Sequence, residues 1–111
     1  MNLFVYGTLA PGEPNEYVLK DVEGTWLPGT VKGQLFESGW GAAMGYPGIV
    51  LDDNGANVSG LLFSAPNLAD HLARLDEFEG EGYQRVMTTV YLDNGDTAQA
   101  YIYELSGSGR P

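Results

Sequence analysis

Apolar positions recur along this chain with two different periods. Leu68, Leu72, Leu75 and Glu79 are spaced by four, three and four residues. That spacing puts them on one helical face, three of them apolar and the fourth a carboxylate. Gly80 ends the helix, as glycine does just past a C-terminus. Pro66 suits its first turn, with Ser64 or Asn67 as the cap. The other patterned segments read as strands. Residues 3–6 are a compact apolar and aromatic run. The stretch 22–36 has strand character, interrupted by Leu27-Pro28-Gly29, and alternates over 30–36 with Val31, Gly33 and Leu35 on one side. Residues 46–51 form a strand entered from a proline turn. The Asn-Gly turn Asp52-Asp53-Asn54-Gly55 then signals a hairpin into 58–63. Residues 86–92 and 97–105 are strands joined by a second Asn-Gly turn, Asp93-Asn94-Gly95-Asp96. In the last strand Ala98, Ala100, Ile102 and Glu104 alternate with Gln99, Tyr101, Tyr103 and Leu105. Residues 16–20 read as one or two helical turns.

The pattern predicts an α+β domain: a small, mostly antiparallel or mixed β-barrel of about six strands with one main helix between the fourth and fifth. Its 16 glycines supply the bends and bulges a curled sheet needs. Residues 1–105 make the domain and 106–111 a flexible tail.

At 111 residues the chain has room for one modest core. With 43% apolar and 18% charged residues it is ordinary globular material. The formal net charge of −10 would repel a polyanion, so no nucleic-acid partner is expected. An acidic surface fits both salt adaptation and plain solubility. No apolar run approaches a membrane span, so no membrane partner is expected. The N-terminus reads as a first strand rather than a signal peptide, and a cytoplasmic protein is the expectation. There is no cysteine, hence no disulfide and no thiol nucleophile.

Glu79 is the first candidate for chemistry. A carboxylate closing an apolar stripe is partly desolvated and sits near the negative end of the helix dipole. Both effects disfavour ionisation and raise its pKa, which suits a general acid or base near neutral pH. From spacing alone, a solvated glutamate in the last turn carries more weight. The second candidate is the strand exit at Gly7-Thr8. Its N–H groups can face a ligand carboxylate or a developing oxyanion, although an ordinary strand exit explains the residues as well. His71 is the sole histidine and follows Asp70 on the helix. No metal-ligand cluster and no phosphate loop is present, so no metal is expected. Asp76 and Glu79 as a glycosidase pair is a weak reading, because neighbours on one helix rarely flank a substrate. Trp40 lies in a Gly-rich loop and suits a core or rim position.

Two motifs carry a family resemblance. Val5-Tyr6-Gly7-Thr8-Leu9 resembles the Y-G-T-L loop of the γ-glutamylcyclotransferase-like (AIG2-like) family. Leu75-Asp76-Glu77-Phe78-Glu79-Gly80 followed by Tyr83-Gln84-Arg85 resembles that family's L-D-x-x-E-G…Y-x-R segment. Supporting pieces fall in order between and after them: Gly33-Gln34-Leu35-Phe36, Tyr46-Pro47-Gly48, Val58-Ser59-Gly60 and Ala100-Tyr101-Ile102-Tyr103. The resemblance covers about residues 2–105. It implies a small β-barrel with a flanking helix and no cofactor. The implied activity is release of a γ-glutamyl group as 5-oxoproline from a small-molecule γ-glutamyl substrate, a transferase or lyase reaction. Glu79 matches the catalytic glutamate. Tyr6, Gly7, Thr8 and Leu9 match the substrate-binding loop, and Tyr83 and Tyr103 match pocket tyrosines. Ala10-Pro11 departs from the basic residue that often follows the loop, which bears on the leaving group.

Two alternatives remain at this level. One is a non-catalytic module of the same fold that binds a small acidic ligand. The other is an enzyme that removes a γ-glutamyl protecting group from a biosynthetic intermediate. A monomer or weak dimer is expected.

Overall fold

The structure is a computed structural model, described for residues 1–7, 12, 18–37 and 47–107. The strands are β1 (Asn2–Val5), β2 (Thr25–Phe36), β3 (Gly48–Leu51), β4 (Ala56–Ser64), β5 (Tyr83–Leu92) and β6 (Thr97–Leu105). The helix α1 (Leu72–Glu79) lies between β4 and β5. Strands β1, β4, β2, β5 and β6 close into a barrel, because β1 also pairs with β6 and β2 with β5. The extra strand β3 lies along β2 and touches β6. Pairing is antiparallel except for β1 with β6 and β3 with β6. This is the expected barrel with one helix.

Side-chain alternation separates two cores. Phe4, Val31, Ile49, Val58, Leu62, Val90, Ala100 and Ile102 pack together inside the barrel. On the other face of the same strands, Leu3, Val5, Phe63 and Tyr103 meet Val18, Leu19, Val22, Leu68 and Leu75, filling the layer between barrel and helix. Leu68 and Leu75 are fully buried, as the stripe requires. In this layer Trp26 stacks on Phe63 with ring centroids 4.4 Å apart.

Four local expectations need correction. The segment Leu27-Pro28-Gly29 does not interrupt β2. Pro28 pairs in register with Leu61, and its carbonyl accepts from the Asp93 N–H (3.4 Å), so the strand continues where no N–H is required. The Asp52–Gly55 turn is not a hairpin between β3 and β4. Gly33 of β2 pairs with Leu51 of β3 on one edge and with Ala56 of β4 on the other. The turn therefore carries the chain across β2. The crossing needs glycine on both sides, since a Cβ on Gly55 would stand 2.8 Å from the Gly33 Cα. The helix is split: Leu68–His71 is a 3₁₀ turn, and α1 starts at Leu72. Neither Ser64 nor Asn67 caps it. The Ser64 hydroxyl donates to Asn2 Oδ1 (2.7 Å), and Asn67 makes no side-chain cap. The second Asn-Gly turn does join β5 and β6 as a hairpin.

Residues 16 and 17 of the helical segment expected at 16–20, along with Trp40 and residues 108–111, lie outside the described residues. Ser106 is tied by its N–H to Gly82 (2.9 Å) and by its hydroxyl to Glu81 (2.5 Å).

Candidate active site

The barrel topology gathers the candidate residues at one mouth. β1 runs parallel to β6, so Tyr6 and Gly7, just past the end of β1, lie near the end of β6. β5 starts where β6 ends, with Tyr83 opposite Leu105 and Arg85 opposite Tyr103. β3 starts there too, with Ile49 opposite Glu104. The helix enters the same mouth with Glu79 as its last residue. Gly80 follows at φ +77° and ψ −167°, a conformation reserved for glycine, and the chain turns into β5 within three residues.

Hydrogen bonds fix the tyrosines. The Tyr6 hydroxyl donates to the Tyr103 carbonyl (2.5 Å) and accepts from the Ile49 N–H (3.2 Å), which knits β1, β3 and β6 together. The Tyr83 hydroxyl donates to the Pro47 carbonyl (2.6 Å). The Tyr103 hydroxyl donates to Asp76 Oδ1 (2.7 Å). Burial pushes the Tyr6 hydroxyl far above the ordinary tyrosine range, and the nearby Tyr83, Glu79 and Glu104 add to it. Tyr103 moves the same way, through burial first and then its bond to the Asp76 carboxylate. Both tyrosines therefore stay protonated at any ordinary pH.

Glu79 is half-buried, and burial pushes its carboxyl up to about 7. Its charge reaches the hydroxyls of both Tyr6 and Tyr103. No hydrogen-bond donor among the described residues offsets the burial, so desolvation sets the pKa. A carboxyl with this pKa exchanges protons readily at neutral pH. Among the described residues no cluster of His, Asp and Glu is arranged to hold a metal ion, and no helix is long and apolar enough to cross a membrane.

The family pattern described as "Gamma-glutamyl cyclotransferase, AIG2-like" matches residues 3–110. The chain belongs to this family. Membership supports a cyclotransferase-like enzyme in general. Solved structures agree on the fold. An AIG2-like protein from Mus musculus is 27% identical with a TM-score of 0.77, covering 99% of this chain and 79% of that one. YkqA from Bacillus subtilis is 30% identical with a TM-score of 0.72; the match covers 97% of this chain and spans 36% of the length of YkqA. A structure named gamma-glutamyl cyclotransferase superposes with a TM-score of 0.73 over 95% of this chain and 66% of that one. At 18% identity this is a likeness of fold. No individually curated protein matches the sequence.

Of the residues the family resemblance singles out, Tyr6, Glu79, Tyr83 and Tyr103 stand at the same mouth. Gly7 is at its rim, half-buried, while Thr8 and Leu9 lie outside the described residues. Two carboxylates had weaker signals in the sequence. Asp76 bonds both Tyr103 and the Arg85 fork (Nε to Oδ1 2.8 Å, Nη2 to Oδ2 3.2 Å), and Arg85 also lies over the Tyr101 ring, 4.7 Å from its centroid. The Arg85 bond holds Asp76 below the usual carboxylate range, against a smaller effect of burial. Glu104 is buried, its carboxylate accepting from the Leu51 N–H (3.2 Å) and Gln84 Nε2 (2.9 Å). The signal for Glu104 is its place in the Ala98, Ala100, Ile102 alternation, which points a carboxylate into the barrel.

Proposed function

We propose that the protein is a γ-glutamyl cyclotransferase that releases 5-oxoproline from a small γ-glutamyl peptide or γ-glutamyl amine. The observation that carries this reading is Glu79: a half-buried carboxyl at about pKa 7, facing the barrel mouth beside Tyr6 and Tyr103. In the reaction the substrate's α-amine attacks its own γ-carbonyl carbon. A ring C–N bond forms, and the C–N bond to the leaving amine breaks. An α-amine has a pKa near 8, so at neutral pH it arrives mostly protonated and unreactive. Glu79 takes one proton from the α-ammonium and hands it to the leaving nitrogen; the ring nitrogen sheds a second proton on closure, which ends on the departing amine as its ammonium, so the carboxyl ends as it began. Ring closure is intramolecular, so holding the glutamyl chain folded against the mouth supplies much of the acceleration. The N–H groups of Gly7, Thr8 and Leu9 serve the glutamyl carboxylate or the oxyanion, while Tyr83 and Tyr103 form the wall.

The test is 5-oxoproline release from a panel of γ-glutamyl dipeptides and γ-glutamyl amines, by the wild type and by Glu79→Gln. Release that collapses in Glu79→Gln supports both the reaction and the base. The preferred panel member then names the substrate class. No release from any member, with both proteins folded, would favour the binding module or a biosynthetic γ-glutamyl intermediate. Equal release from both proteins would overturn the role of Glu79 and leave the reaction standing.

A further inference from the structure

The three tyrosines at the mouth share a polarity that limits what they can do for a ligand. Each commits its proton to the protein: Tyr6 to the Tyr103 carbonyl, Tyr83 to the Pro47 carbonyl and Tyr103 to the Asp76 carboxylate. Carbonyls and ionised carboxylates only accept, so the direction of all three bonds is fixed. A phenol so committed has only lone-pair density to offer. The Tyr103 hydroxyl is therefore a poor candidate to donate to an oxyanion and a good one to receive a cationic N–H group, whereas the Tyr6 oxygen already accepts from the Ile49 N–H.

Asp76 imposes this polarity on Tyr103. It precedes Glu79 by three residues, so the two carboxylates are neighbours on one helix face. Arg85 grips both Asp76 oxygens, and its stacking on Tyr101 keeps the guanidinium on that side of the pair. Asp76 is thus held as an ionised acceptor with one oxygen on Tyr103. We propose that Asp76 is a positioning residue for the amine-binding corner of the site. By taking the Tyr103 proton, it leaves the phenolic oxygen to accept a hydrogen bond from the substrate's α-ammonium, next to Glu79. This deepens the cyclotransferase reading and rests on it. In that reaction Tyr103 orients the amine whose proton Glu79 removes, and the oxyanion falls to backbone N–H groups.

The test is a kinetic double-mutant cycle on 5-oxoproline release, using Asp76→Ala, Tyr103→Phe and the double variant, with Asp76→Asn as the conservative change. Each single variant is expected to lower kcat/KM roughly 10- to 100-fold, mainly through KM, as loss of a hydrogen bond to a charged group does. The double variant should be no worse than either single one, because both remove the same interaction. Asp76→Asn keeps a side-chain carbonyl for the Tyr103 proton and should recover part of the loss. Glutaramate, which is glutamine without its α-amine, should inhibit the wild type, Asp76→Ala and Tyr103→Phe equally.

Additive losses would overturn the assignment. So would glutaramate inhibition that weakens in step with substrate binding, since that would mark a general collapse of the pocket. Where Asp76→Ala fails to fold, Tyr103→Phe decides, and its full activity would sink the proposal. A wild type that releases no 5-oxoproline would overturn the activity and this assignment together. An active wild type with an undisturbed Asp76→Ala would overturn only the assignment.

Discussion

The barrel interior and the layer beneath the helix each hold a glutamate, and they treat it in opposite ways. Inside the barrel, Glu104 is buried but meets an N–H of β3 and an amide of β5. Beneath the helix, Glu79 is half-buried and receives no hydrogen bond from the described residues, and its carboxyl rises to about 7. Asp76, one turn earlier, is held low by Arg85 and Tyr103. Burial by itself therefore does not mark the reactive acid. What raises Glu79 is desolvation that no described donor offsets, whereas the bonds from Arg85 and Tyr103 hold Asp76 low. On the proposed reading, the helix layer of this protein holds the reactive carboxyl, Glu79, and the barrel holds a hydrogen-bonded one, Glu104.

The largest expected effect tests the reactive side. Glu79→Gln keeps the shape of the side chain and removes the proton acceptor. It should cut kcat by roughly 10² to 10⁴, the usual contribution of a general acid or base. Single-turnover assays on the preferred substrate would check this. A loss confined to KM would mean that Glu79 binds the amine without moving its proton.

The next effect compares the two cores. Leu75 is fully buried under the helix, and Leu62 is nearly so inside the barrel. Truncating either one, as Leu75→Ala or Leu62→Ala, should cost about 2–5 kcal/mol in urea denaturation. The kinetic consequences should differ. Leu75 seats the helix that carries Glu79, so Leu75→Ala should also lower kcat per folded molecule, whereas Leu62→Ala should leave it near wild type. Equal kinetic effects would mean that the helix is positioned by Asp76 and Arg85 alone.

Much of this division is legible in the sequence. The four-three-four spacing ending at Glu79, stopped by Gly80, singles out a carboxylate on an apolar stripe, but spacing alone favours a solvated one; the family motifs are what mark Tyr6, Glu79 and Tyr83 together. The alternation of β6 assigns Ile102 to the barrel and Tyr103 to the helix side. What periodicity does not carry is pairing between distant segments. The Asn-Gly turn at residues 52–55 has the local chemistry of a hairpin. Only the pairing of Gly33 with Leu51 on one edge and Ala56 on the other, with Gly55 packed against Gly33, shows that it crosses β2. Pro28 looks like a strand break because sequence does not reveal that its position asks for no N–H. The Asp76–Tyr103 bond spans 27 residues and follows from the fold, not from either residue's neighbours.

The pH dependence sharpens the contrast further. An acid whose folded pKa is about 7 rather than its ordinary 4.5 binds more protons folded than unfolded between those values. Stability should therefore fall as pH rises through that window and level off above it. Relative to Glu79→Gln, the wild type should lose about 3 kcal/mol between pH 4 and pH 8. Denaturation of both proteins across that range measures the difference, and parallel curves would mean that Glu79 is solvated. In kinetics, the productive state holds one proton between Glu79 and the substrate amine. The kcat/KM profile should be a bell with limbs near about 7 and about 8.

The smallest effect belongs to the partnered glutamate. Glu104→Ala strips the acceptor from the Leu51 N–H and from Gln84, leaving part-buried donors unmet. Such a loss costs about 1–3 kcal/mol, visible as a lower urea midpoint. β3 would lose one of its side-chain ties to the barrel but keep the bond from the Ile49 N–H to Tyr6. The activity of the folded fraction should drop modestly, while the acid limb near about 7 stays where it is, because that limb belongs to Glu79. If Glu104→Ala instead moved that limb, the interior carboxylate would be coupled to the reaction. The barrel and the helix layer would then be one electrostatic site, joined through the Tyr6 hydroxyl that both carboxylates face.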